Sequence, residues 1–129
     1  MNASAAALAD RFSEGLAGAA GNEALVRKGR TLTAQCVVHI ADTPFLLKIA
    51  AGVLTECTRQ LPLLCTRDFT IRGSAAAWEA LWEYMPRAGW HDLLALTKRG
   101  EMTIEGDMQK VMAHLQFIKD LLGLPRSAA

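Results

Sequence analysis

The sequence is poor in most of the features that announce a function. Its 129 residues carry 14 Lys and Arg against 13 Asp and Glu, a formal charge of +1. There is therefore no one-sided charge to hold nucleic acid or to form a working tail. The three cysteines, Cys36, Cys57 and Cys65, cannot all pair within one chain and none sits in a C-x-x-C, which points to a reduced, cytoplasmic setting. No run approaches the ~18–20 apolar residues of a membrane span. The alanine-rich start is interrupted by Asp10, Arg11 and Glu14 and has no basic leader, so no secretory signal is expected. Aromatic residues are only 6%, yet hydrophobic residues reach 51% and charged ones 21%, which excludes global disorder. A chain of this length buries roughly two-thirds of its unfolded surface, enough for one domain around one core.

Chemistry-bearing motifs are equally scarce. Neither G-x-x-x-x-G-K nor G-x-G-x-x-G occurs, so no nucleotide cofactor is expected. Ser74 lies in Gly73-Ser74-Ala75-Ala76-Ala77, which is no G-x-S-x-G elbow and reads as a helix N-cap. Among His39, His91 and His114 none has a second ligand at i+4, and Cys36 and His39, three apart on a strand, point to opposite faces. Asp68, Glu101 and Glu105 lie opposite the apolar residues of their strands and face solvent. The expectation is a protein without catalytic residues, metal or cofactor.

What the chain does have is pattern. Residues 3 to 28 carry a weak helical stripe (Leu8, Phe12, Leu16, Ala19) interrupted by glycines, predicting one or two helices packed across the rest. From Thr31 the period becomes two, with Leu32, Ala34, Cys36 and Val38 alternating with Thr33, Gln35 and Val37. The Asp42-Thr43-Pro44 turn, a strand from Phe45 to Ala50, a turn at Gly52 and a strand from Val53 to Arg59 complete an antiparallel meander. A fourth strand runs from Thr66 to Arg72. Ser74 then opens a helix whose stripe is Trp78, Leu81, Trp82 and Met85, stopped by Pro86 and Gly89. A helix from His91 to Lys98, a strand from Glu101 to Glu105 and a final helix capped by Asp107 follow. The stripe of that last helix is Met108, Val111, Met112, Leu115, Ile118 and Leu122, and residues 125–129 form a frayed tail. This order describes an α+β domain.

All three tryptophans and four of the five methionines fall between Trp78 and Met112. Such a collection reads as plain core, as a ligand tunnel, or as a protein interface. Three strings add to it. Asp68-Phe69-Thr70-Ile71-Arg72-Gly73-Ser74 resembles a D-x-T-I-x-G-S strand and helix cap, and Gly100-Glu101-Met102-Thr103-Ile104-Glu105-Gly106-Asp107 resembles a G-K-L-x-I-x-G-D strand and cap. The helix from Met108 to Leu122 closes the set. In this order they resemble the sterol carrier protein type 2 domain, over about residues 30–124, after an N-terminal helical segment at 1–29.

The resemblance implies a five-stranded mixed sheet covered by helices. It further implies an apolar tunnel holding a fatty acid, acyl-CoA, sterol or phospholipid without catalysis. The implied walls are Phe69 and Ile71, Met102 and Ile104, and Trp78, Leu81, Trp82 and Met85, with Met108, Met112 and Leu115 closing the other side. Transient membrane contact and a homodimer stay open as partners. A second reading is an accessory or dimerisation protein whose apolar face binds an enzyme of lipid or steroid metabolism.

Overall fold

The computed structural model describes residues 5–62, 65–83, 85, 88–90 and 92–126. Pro86 and His91, expected as a helix stop and a helix start, lie outside these residues, as do the first four residues and the last three of the tail. Two helices, α1 (Ala5–Leu16) and α2 (Glu23–Lys28), precede three strands, β1 (Ala34–Ile40), β2 (Thr43–Ala50) and β3 (Val53–Thr58). Then come β4 (Phe69–Gly73), α3 (Ala75–Leu81), α4 (Leu93–Lys98), β5 (Met102–Gly106), α5 (Met108–Ala113) and α6 (Leu115–Leu122). The five strands form one sheet in the order β3-β2-β1-β4-β5. The meander is antiparallel, β4 joins β1 in parallel, and β5 returns antiparallel to β4, so the sheet is mixed as expected.

Both hairpin turns are tight. Ala41 sits at φ +56° between the paired Ile40 and Thr43, so the first turn falls at Ala41-Asp42, one residue earlier than the sequence predicts. Pro44 is thereby inside β2. It is tolerated there because the β3 pairing starts only at Leu46, leaving no ladder partner for the missing N–H. The second turn uses Ala51 at φ +51° and Gly52 at φ +84°. A Cβ on Gly52 would meet the carbonyl oxygen of Val26 at 2.5 Å, so glycine also lets this turn rest on α2.

One face of the sheet presents Cys36, Val38, Ile40, Phe45, Leu47, Phe69, Ile71 and Met102 to the helices, as the register requires. Leu8, Phe12 and Leu16 of α1 belong to the same buried cluster. The N-terminal helical segment and the sheet therefore share one core. Nor does the tail fray from 125: Pro125 is buried, its carbonyl accepts from Arg11 Nε at 3.2 Å, and Arg126 Nε donates to Leu81 O at 3.0 Å.

The helix caps follow the sequence closely. Ser74 accepts from Ala77 N at 3.0 Å and Asp107 from Lys110 N at 3.0 Å, each satisfying an otherwise unpaired first-turn amide. Two helix ends depart from it. α3 stops at Leu81, where Arg126 takes the Leu81 carbonyl and Arg11 Nη2 takes that of Trp82 at 2.8 Å. Arginines thereby replace the bonds another turn would have supplied. The last helix is broken at His114, whose ring nitrogens contact Lys110 O and Thr31 Oγ1, each at 3.1 Å.

Candidate functional site

The implied tunnel walls divide into two groups. Phe69, Ile71, Trp78, Leu81, Trp82 and Met102 are buried together between the sheet and α3, with Ile104 packed half-buried against them. Met85, Met108 and Met112 do not join this group and are 77%, 42% and 51% exposed. The end of α3 accounts for Met85. Met85 lies beyond the end of α3, so its i+7 phase carries no meaning. Val111, Ile118 and Leu122 keep one buried line across the break at His114, joined in α6 by Phe117 and Leu121, while Met108 and Met112 lie off that line within α5. Leu115, also expected as a wall, is only half-buried.

The buried walls do not stand apart around a hollow. Phe12 of α1 enters between them, and its ring centroid lies 4.8 Å from that of Phe45, 6.4 Å from Trp78 and 6.2 Å from Trp82. The two indoles are 5.4 Å apart. These separations are those of aromatic rings in direct contact. The indole N–H groups are also engaged: Trp78 Nε1 donates to His39 O at 3.0 Å and Trp82 Nε1 to Leu122 O at 2.8 Å. In this state the space between β2, α1 and α3 is filled by side chains. Sequence reasoning places Phe12 on a weak stripe but not in the site. The stripe itself is the available signal, since it puts one large aromatic among alanines.

α1 is held over this nest by two arginines. Arg11 lies 5.4 Å over the Trp82 ring while bonding the Trp82 and Pro125 carbonyls. Arg59 lies 5.3 Å over the Phe45 ring and pairs with Asp10 at 2.7 Å. The Arg59–Asp10 pair is exposed, so it contributes ~0–1 kcal/mol.

Burial pushes the Cys36 thiol up to about 12, reinforced by the charge of Asp68, and burial pushes Cys57 up to about 11. Both are protonated at neutral pH and therefore weak nucleophiles. His39, on the opposite face, has its pKa lowered by burial and by the charges of Arg72 and Arg67. No trio of metal-ligating side chains gathers among the described residues, and no helix among them is long and apolar enough to cross a membrane.

Two open cavities among the described residues lie elsewhere. One of about 320 Å³ is rimmed by Asp92, Lys119, Asp120 and Arg126. Another of about 270 Å³ lies beside Asn22, Lys28 and Leu124.

With this geometry in hand, the comparisons define a fold class: the chain has the sterol carrier protein type 2 fold. A structure of sterol carrier protein 2 superposes with a TM-score of 0.66 at 18% identity, covering 95% of this chain and 96% of that one. A protein from Thermus thermophilus, described as possibly a sterol carrier protein, gives 0.65 at 13% identity, covering 93% and 88%. A protein described as UbiJ-SCP2, a ubiquinone synthesis protein, gives 0.59 at 21% identity, covering 92% and 95%. No family model matches the sequence, and no curated protein matches it. The matched span includes most of the N-terminal segment, in agreement with the shared core.

Proposed function

We propose that the protein is a non-catalytic carrier of an apolar molecule, which lodges between sheet and helices by displacing Phe12 and the helix that bears it. The observation behind this reading is that the apolar walls gather between the sheet and α3, and that the side chain wedged among them, Phe12, comes from a separate element, α1. The names of two fold neighbours, a sterol carrier and a ubiquinone synthesis protein, belong to the chemistry of apolar molecules and support it. A fatty acid, acyl-CoA, sterol or phospholipid is the ligand class. The free cysteines suit a carrier working in the cytoplasm.

Magnitudes decide which ligands can enter. Lifting α1 exposes Leu8, Phe12 and Leu16, each now buried, at about 1.5–3 kcal/mol apiece. An acyl chain recovers about 0.8 kcal/mol per buried methylene, so roughly six to eleven methylenes are needed to offset the exposure. Long chains should therefore bind and short ones should not reach the chamber.

Native mass spectrometry of freshly purified protein and displacement of a fluorescent fatty acid test this. A bound lipid is expected, together with a rise in affinity with chain length. Phe12→Ala should tighten long-chain binding several-fold while lowering stability by ~3 kcal/mol, the lower end of the range for such truncations because α1 can settle inward. Absence of any lipid, with no displacement by acids of any length, overturns the reading.

A further inference from the structure

The 320 Å³ cavity lies where the end of α3, the start of α4 and one side of α6 meet. Its apolar lining is Leu81 and Leu93, both buried members of the main core. Two carboxylates and two cations surround these leucines, and their hydrogen bonds are unevenly distributed. Asp120 accepts from Lys28 Nζ on one oxygen and from Gln116 Nε2 at 2.9 Å on the other. Asp92 accepts from Ala95 N at 2.9 Å and from Lys119 Nζ at 3.5 Å. All four carboxylate oxygens are thus supplied with donors.

The cations are not matched in the same way. Among the described residues Lys119 has the single long contact to Asp92, and Arg126 uses only Nε, on Leu81 O. An ammonium offers three donors and a guanidinium five. Each carboxylate oxygen already holds a donor, and Gln116 Oε1 is the one side-chain oxygen of the lining without one among the described residues, whereas Lys119 and Arg126 both keep unengaged N–H groups, which favours an anion over an amine or an alcohol. Its volume is at the lower end of ligand sites, large enough for a head group and a few carbons but not for a whole lipid.

We propose that this cavity binds the carboxylate of an organic acid, with Arg126 and Lys119 as donors and Leu81 and Leu93 against its first methylenes. The acid is either small and complete within the cavity or the head of a longer chain. In the second case the stem continues past Leu81 towards Trp82, and that part alone rests on the carrier reading above.

Calorimetric titration of the full chain with hexanoate, 1-hexanol, hexylamine and dodecanoate separates these possibilities. Hexanoate should bind about tenfold or more tightly than the alcohol or the amine, the difference expected for one charge-assisted hydrogen bond. Arg126→Gln and Lys119→Gln should each weaken both acids about tenfold and leave 1-hexanol unchanged. Both side chains are on the rim, and either variant alone suffices if the other folds poorly. Equal binding of acid, alcohol and amine, no binding of either acid, or acids indifferent to both substitutions overturns the inference. Dodecanoate no tighter than hexanoate, with sensitivity to the substitutions retained, supports a small free acid here and counts against the carrier reading. Tight dodecanoate binding that neither substitution affects leaves the carrier reading standing and overturns this one.

Discussion

The aromatic chamber and the charged cavity lie on either side of Leu81, and the chain treats them in opposite ways. In the chamber Phe12, Phe45, Trp78 and Trp82 close on one another. At the cavity Asp92, Lys119, Asp120 and Arg126 keep about 320 Å³ open. Apolar side chains gain dispersion and lose water by collapsing, so a greasy volume with a large residue within reach is filled. Charged side chains lose hydration if they collapse, so they hold a volume open unless every charge finds a partner. In this fold the place that looks best for an apolar ligand is therefore occupied, and the place that is open is suited to a charged group.

Three substitutions sharpen that contrast, in falling order of effect. Trp82→Ala should lower stability by ~3–5 kcal/mol, measured by urea denaturation, because it leaves a cavity and strips the Leu122 carbonyl of its donor. A loss below about 1.5 kcal/mol would mean that the chamber is already partly empty in solution. Asp92→Ala, at the charged rim, should cost ~1 kcal/mol, the worth of the cap on Ala95 N. Lys119→Gln should stay within about 0.5 kcal/mol, since its partner Asp92 keeps the Ala95 amide and the pair is partly solvated. A larger loss there would mean that the rim holds the fold together rather than waiting for a ligand.

Much of the scaffold is legible in the sequence. Alternation through Ala34, Cys36 and Val38 and through Phe69 and Ile71 marks strands whose inner faces are those residues. Ser74 and Asp107 mark their helix starts to the residue, because capping is a local bond. Asp92 escapes notice as a cap when its helix is started at His91, two residues before the observed start at Leu93. The misplaced methionines have a different origin. Periodicity assumes a continuous helix, and α3 is ended before Met85 by distant partners, Arg11 and Arg126 at its last carbonyls, whereas Met108 and Met112 flank the line through Val111 that α5 buries.

The sequence by itself determined the α+β order, the five strands with their buried faces, and the collection of large apolar side chains after Trp78, since these depend on local period and hydrogen-bonding capacity. Only the tertiary structure decided that Phe12 fills the space between the walls, that β4 lies parallel beside β1, and that Asp92, Lys119 and Arg126 surround one opening. Those outcomes join residues far apart along the chain. They follow from volume, register and charge balance in three dimensions, which no local pattern encodes.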